Sequence, residues 1–268
     1  MAKKDLKALV AAFDNSIQEE DEGYDVRVRL TFIADVLGTA ASDKDVYSAY
    51  IASNAPDAPS KAEEVEAIGV DESIEKGTTV FPRDKDGNPF LWDYQVRGFF
   101  KAACQSLNRC EGQAFAKATK SLKAYRKVLD QCVIVAPRKI PFNLSGEMDI
   151  CQRPLRAETM QGPRVALASS ETVPAGSTVE FTVRLLNETW LTALMEWLNY
   201  GQYCGFLQWR SSGAGSFVYE ILDEDGTVLG GNKETSKWAR MWSGEKVETT
   251  NDPAPVAKKR GRPSKKAS

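Results

Sequence analysis

Residues 26 to 37 read Val-Arg-Val-Arg-Leu-Thr-Phe-Ile-Ala-Asp-Val-Leu, opening with a strict alternation of apolar and polar positions and followed by Gly38. That period of two, with β-branched residues on the apolar side, predicts one strand over the span. Val46, Tyr47, Tyr50 and Ile51 recur at helical spacing behind Ser42 or Asp43 as caps, which predicts a short helix over 43–52. Residues 54–60, with two prolines, break it. The turn Asp84-Lys85-Asp86-Gly87-Asn88-Pro89 separates two apolar runs. After it Tyr94, Val96, Phe99, Phe100, Ala103, Cys104 and Leu107 form the apolar stripe of an amphipathic helix, with Arg97, Lys101 and Gln105 on its polar side. A basic helical stretch over 116–129 leads to an apolar strand at 132–136, then Pro137 and Pro141.

The second half alternates in the same way. Thr178 to Leu186 reads as a strand after the turn Val173-Pro174-Ala175-Gly176-Ser177, and Trp190, Leu191, Leu194, Met195 and Leu198 define a helix over 190–200. Residues 205–210 and 216–222 read as strands flanking a glycine loop, and Asp225-Gly226 as a hairpin turn toward Val228 and Leu229. The order predicts an α+β fold over residues 1–242, an antiparallel sheet with helices on one face. Beyond Trp242 the apolar pattern stops, so 243–268 is expected to be a disordered, polar tail.

Composition narrows the chemistry. The 268 residues are 42% hydrophobic and 27% charged, ordinary values for a globular chain with a sizeable core. No window approaches about 18 consecutive apolar residues, and no apolar stretch follows the first lysines, so no membrane contact is expected and the chain reads as soluble and cytoplasmic. Five cysteines without a Cys-x-x-Cys, and no histidine at all, exclude zinc-finger spacing, Ser-His-Asp and Cys-His nucleophiles and histidine-based metal sites. No cofactor is expected, and the balance leans away from an enzyme.

The formal charge of −2 conceals a segregation. The last eleven residues hold six bases and no acid, leaving 29 bases against 37 acids elsewhere. Acid concentrates over 14–25 and 57–75, whereas residues 94–143 carry ten bases against Glu111 and Asp130. Two readings of that basic stretch stand side by side: a face for phosphates, built from Arg97, Lys101, Lys120, Lys123 and Lys127, or lysines that simply solvate helix surfaces.

Three separated segments carry a resemblance to the RAMP superfamily (repeat-associated mysterious proteins), the ferredoxin-like or RRM-like subunits of CRISPR effector complexes. The first is Asp84 to Lys101, similar to the family's turn and apolar run leading into a helix start and then Lys-Gly or Arg-Gly, here Arg97-Gly98. The second, Val173-Pro174-Ala175-Gly176-Ser177-Thr178-Val179-Glu180-Phe181, is similar to the "V-P-A-G-T-x-F" strand opening, preceded by an arginine-rich connector (Arg153, Arg156, Arg164). The third, Gly205 to Phe217, resembles the family's glycine-rich loop that contacts RNA backbone. The resemblance implies a ferredoxin/RRM-like sheet with insertions and a role in holding nucleic acid; compactness suggests a phage or other mobile element as the source. Departures accompany it. Trp92-Asp93-Tyr94 replaces the usual Gly-Ser-Ser, the glycine loop has one base, Arg210, and Asp43 and Asp45 lie where target-cleaving members place an aspartate but without a flanking motif. Histidine-based RNA processing is impossible in this chain.

Physical chemistry adds its own argument. Gly213 and Gly215 would free two backbone amides beside Arg210 for a phosphate, and Trp209 or Phe217 would stack on an unpaired base; a glycine-relieved turn with both aromatics in the core is the competing reading. In the tail, Lys259-Arg260-Gly261-Arg262-Pro263 resembles the AT-hook core, in which arginines enter the narrow A·T minor groove and glycine admits close contact. A generic polybasic tail competes with that. The favoured function is a non-catalytic nucleic-acid-binding protein of RAMP type. Its partners are single-stranded RNA or DNA and, through Arg260, Gly261 and Arg262, A·T-rich duplex DNA, with a homo-oligomer along the strand as the matching assembly. The alternatives are a metal-dependent nuclease using Asp43 and Asp45, and a protein-interaction module that mimics a CRISPR subunit.

Overall fold

The computed structural model describes residues 24–41, 78–110, 116–159 and 162–245. Strand β1 (Tyr24–Phe32) runs through the middle of the main sheet, with Val26, Val28, Leu30 and Phe32 turned into the core and Arg27, Arg29 and Thr31 turned away. Both neighbours are antiparallel: β10 (Thr178–Leu185) on one side, β11 (Phe217–Leu222) on the other. On its far side β10 pairs with β6 (Val133–Ala136) and β7 (Lys139–Asn143). Helix α1 (Asp93–Leu107) lies between β1 and β6 in the chain, and α4 (Leu191–Tyr200) between β10 and β11. The connectivity is therefore β-α-β-β-α-β with strand order β11-β1-β10-β6/β7. This is the ferredoxin/RRM-like arrangement, an α+β fold with its helices on one face. Edge strands β5 (Phe90–Trp92) and β12 (Val228–Gly231) extend the sheet beyond β7 and β11.

Periodicity explains why the helices lie where they do. Val96, Phe99, Phe100, Ala103, Cys104 and Leu107 repeat at three and four residues, so one stripe of α1 is buried against the sheet and α4. Phe99 meets Phe217 at 5.1 Å and Phe206 at 5.6 Å between ring centres, and Phe100 meets Trp197 at 5.6 Å. Removing one such buried ring costs about 3–5 kcal/mol. The helix start is held by the Trp92 amide, which donates to Gln95 Oε1 at 2.9 Å, while Gln95 Nε2 donates to Thr39 Oγ1.

Several sequence expectations need correction. The strand over 26–37 is two: β1 stops at Phe32, and after a bend at 33–35 the chain enters a second sheet as β2 (Val36–Leu37). The bend is fixed from both sides, since Ala175 N–H donates to Asp35 Oδ1 and Gly215 N–H to the Asp35 carbonyl. The arginine-rich connector is a long hairpin, β8 (Asp149–Thr159) and β9 (Gly162–Val173), which forms the second sheet with β2, β3 (Ala40–Ala41) and β4 (Thr79–Val80). The basic stretch over 116–129 divides into α2 (Lys117–Ser121) and α3 (Tyr125–Gln131), parted at Ala124 with φ of 52°. No strand forms over 205–210. Leu207 and Trp209 have φ of 63° and 54°, which strand backbone excludes, and the segment folds back on Ala214 and Gly215. A further helix, α5 (Lys237–Trp242), follows the β11–β12 hairpin. The helix expected over 43–52 and the tail from residue 246 lie outside the described residues. Among the described residues no helix is long and apolar enough to cross a membrane.

Candidate nucleic-acid interface

The candidate bases of α1 are already partnered. Arg97 pairs with Asp93 at 3.0 Å one turn earlier, and Lys101 pairs with Asp130 of α3. Lys120, Lys123 and Lys127 differ: all three are exposed, and among the described residues none has a carboxylate partner. They gather around the α2–α3 turn at the N-terminal end of α4, where Lys123 lines a cavity with Ser121, Leu122, Thr189, Trp190 and Ala193. The glycine loop follows the C-terminal end of α4. The structure therefore places the lysines and the loop at opposite ends of that helix.

Within the loop, the two glycines do something other than expose amides. Gly213 N–H donates to the Arg210 carbonyl at 3.0 Å, and Gly215 N–H to the Asp35 carbonyl at 2.8 Å. The expectation of two free amides is corrected accordingly. Both glycines have positive φ, 88° and 69°, and both permit a close approach. A Cβ on Gly213 would stand 2.6 Å from the Trp242 ring, and one on Gly215 would stand 2.7 Å from the Phe206 carbonyl oxygen. Phe217 is wholly buried against Phe32, Phe99 and Phe206, so it is a core residue.

Trp209 has the opposite fate. It is 47% exposed, and the Arg153 guanidinium of β8 sits over its ring, 5.0 Å from the centroid. Arg153 itself is only 8% exposed. Its Nη1 donates to Ser170 Oγ at 3.2 Å and its Nη2 to Gln208 Oε1 at 2.8 Å, while its Nε has no partner. Among the described residues no carboxylate pairs with it, and this buried positive charge stands behind an exposed indole. Arg210, Ser211 and Ser212, all exposed, follow directly.

Sequence reasoning missed the aromatic residues beside this loop. Trp242 is 45% exposed with its ring over Gly213; Trp238 contacts it at 6.3 Å and Tyr203 at 5.8 Å. Trp238, Met241 and Trp242 stand at i, i+3 and i+4 behind Ser236, whose hydroxyl accepts from Ala239 N–H at 2.9 Å. That spacing behind a serine cap was the available signal for α5. Arg153 had none, because its partners Ser170 and Gln208 lie 17 and 55 residues away.

The sheet face turned away from the helices is built differently. Outward positions on β1 and β10 are Asp25, Arg27, Arg29, Thr31 and Thr178, Glu180, Thr182, Arg184, so the two central strands present no aromatic there. The charges pair across strands: Arg29 with Glu180 at 2.7 Å, Arg27 with Glu180 at 3.3 Å, and Arg184 with Asp25 at 2.7 Å. Another cationic cluster lies at the β5–β7 edge, where Arg138 and Lys139 sit over the buried Trp92 ring at 5.7 and 5.4 Å. Among the described residues no three acidic or cysteine side chains converge as metal ligands. Asp43, Asp45, Arg260, Gly261 and Arg262 lie outside those residues.

No family model and no curated protein matches this chain. Among solved structures it is similar to a chain in the cryo-EM structure of the type III-B Cmr-beta bound to cognate target RNA, with 9% identity and a TM-score of 0.43. The match covers 83% of this chain and 66% of that one, so this chain spans slightly less than two thirds of the length of its neighbour. The fold assignment does not depend on that likeness; strand order and connectivity carry it.

Proposed function

We propose that this protein is a non-catalytic binder of single-stranded nucleic acid, RNA or DNA, of the RAMP type. The observation that carries the reading is Trp209, half exposed on the glycine loop and backed by the guanidinium of Arg153, which has no carboxylate partner among the described residues. An indole held open to solvent is a stacking surface for an unpaired base, and the cation behind it attracts the phosphates on either side. Arg210 adds an exposed charge at the same place, and Lys120, Lys123 and Lys127 extend the positive surface at the other end of α4. The three segments that resemble the RAMP superfamily accord with this reading. A polarisation titration of labelled single strands against Trp209→Ala tests it. Loss of about 1–3 kcal/mol of binding is expected, and unchanged affinity in the folded variant would reject the loop as the site.

The tail is assigned a separate contact, with Arg260 and Arg262 in an A·T minor groove. Replacing both by alanine should remove any preference for A·T-rich over G·C-rich duplex; equal loss on both duplexes would mark the tail as a generic polycation. A second reading, a protein-interaction module, is favoured by the exposed Trp238, Met241 and Trp242. The nuclease alternative rests on Asp43 and Asp45, and divalent-metal-dependent cleavage of a labelled strand decides it.

A further inference from the structure

Four chain segments converge on a cavity of about 220 Å³ beside Trp209. The bend after β1 supplies Asp35, the β8–β9 hairpin supplies Thr172, the glycine loop supplies Trp209 and Ser212, and α5 supplies Trp242. We propose that this cleft receives a single nucleobase and that it prefers guanine, an inference that rests on the single-strand reading above.

Size, walls and polarity each support it. The volume falls below the roughly 300 Å³ at which pockets take drug-sized ligands, and suits one planar ring system. Two half-exposed indoles, Trp209 and Trp242, line it. Because Arg153 already occupies one face of Trp209, the other is left for a base. Trp242 reaches its place only because Gly213 has no Cβ.

Two polar groups of the cleft, Asp35 and Thr172, offer acceptors beside the donors of Ser212 and the two indoles. Thr172 donates its hydroxyl hydrogen to the Asp149 carbonyl at 2.9 Å, which leaves its oxygen free to accept. Asp35 is held by Ala175 N–H on Oδ1 and by Gly215 N–H on its carbonyl, so its carboxylate is fixed at an exposed position of the rim. The Asp35 carboxylate at the rim disfavours a phosphate beside it and calls for donors on the base. Guanine presents two adjacent donors on its Watson–Crick edge, N1–H and the N2 amino group, which match a carboxylate's two oxygens. Adenine and cytosine set a ring acceptor beside their amino donor, and uracil flanks its single N–H with two carbonyls. A carboxylate meets each of these with a lone pair opposed.

The test uses the full chain and the four ribonucleoside 5′-monophosphates, read by the indole N–H signals of Trp209 and Trp242 in NMR titrations. Guanosine monophosphate is expected to shift both signals at concentrations at least tenfold below the other three. In Asp35→Asn, which keeps an oxygen to accept from Ala175 N–H, that ratio should fall below threefold. In Trp242→Ala the Trp209 response should weaken for all four. Equal response to all four nucleotides, or a guanosine preference that survives Asp35→Asn, would overturn the assignment. Strand titrations separate this from the reading beneath it. Single strands that bind equally well with and without guanine would overturn the cleft assignment alone, whereas a guanosine response without strand binding would support the cleft and sink the single-strand reading.

Discussion

Glu196 of α4 accepts three hydrogen bonds at the start of α2, from the amides of Ala118 and Thr119 at 2.8 and 2.7 Å and from the Thr119 hydroxyl at 2.6 Å. The same hydroxyl accepts from Trp197 Nε1 at 3.1 Å. Glu196 is 8% exposed, yet its acceptor capacity is met by donors that a short helix cannot satisfy internally. This carboxylate therefore docks the lysine-bearing α2 onto the core.

Replacing it should be costly. Glu196→Ala leaves two amides and a hydroxyl unsatisfied in a dry site, and is expected to lower stability by about 2–3 kcal/mol, with Glu196→Gln intermediate. Urea unfolding monitored by tryptophan fluorescence checks the order, read as a shift in midpoint at constant slope. An alanine variant as stable as the parent would mean that the network contributes nothing net.

The neighbouring Cys104, fully buried in α1, has its thiol pushed up to about 12, first by burial and then by the Glu196 carboxylate. A thiol that far above neutrality has negligible thiolate and no access for a reagent. Native-state labelling with a thiol-specific reagent near pH 8, mapped by mass spectrometry, should leave Cys104 unmodified until denaturant is added. Native labelling of Cys104 at the rate of the half-buried Cys151 would contradict its placement.

These contacts show where sequence reading succeeds and where it stops. Elements whose burial follows one local period were legible: α1 through Val96 to Leu107, β10 through its alternation, and α4 through Leu194 and Leu198. The β8–β9 hairpin was not, because Arg153, Ser169, Ser170 and Glu171 look like connector residues until each strand pairs with the other. Phe206-Leu207-Gln208-Trp209 looks like a strand, and only the left-handed backbone at Leu207 and Trp209 makes it a loop, with no glycine at either position to announce it. The glycine loop was singled out for its amides, and those of Gly213 and Gly215 are bonded within the fold. Its notable features, the charge beneath Trp209 and the indole over Gly213, arrive from distant parts of the chain.

Asp25 and Arg184 face each other across β1 and β10, joined by two bonds at 2.7 and 2.8 Å. The hydrogen bond from Arg184 holds the Asp25 carboxyl below the ordinary aspartate range, against a smaller opposing effect of burial. Since the folded-state value is lowered, the pair's contribution is fully present above the unfolded value, about 3.9, and is lost as pH falls through the folded one. Both side chains are more than 40% exposed, so solvent screening limits the contribution to under about 1 kcal/mol. Asp25→Asn should lower stability at pH 7 by that small amount and match the parent once the aspartate is protonated, so that the acid limb below about pH 4 flattens. An unchanged acid limb would show that the pair forms without stabilising the fold.

The last prediction concerns charges without an acidic partner among the described residues. Lys120, Lys123 and Lys127 are exposed around the α2–α3 turn with no carboxylate partner among the described residues, whereas Arg97 and Lys101 are neutralised by Asp93 and Asp130. Reversing the three lysines to glutamate should weaken single-strand binding for every sequence alike, because phosphate contacts position a strand without reading it. Each lost contact should reduce the dependence of log affinity on log salt by roughly 0.7. Arg97→Ala should move that slope far less, since removing a guanidinium that already pairs with Asp93 takes little from the phosphates. A folded triple variant with unchanged affinity and slope would assign the lysines to solvation of the helix surface. An equal slope change in Arg97→Ala would show instead that the Asp93 pair opens to meet the strand.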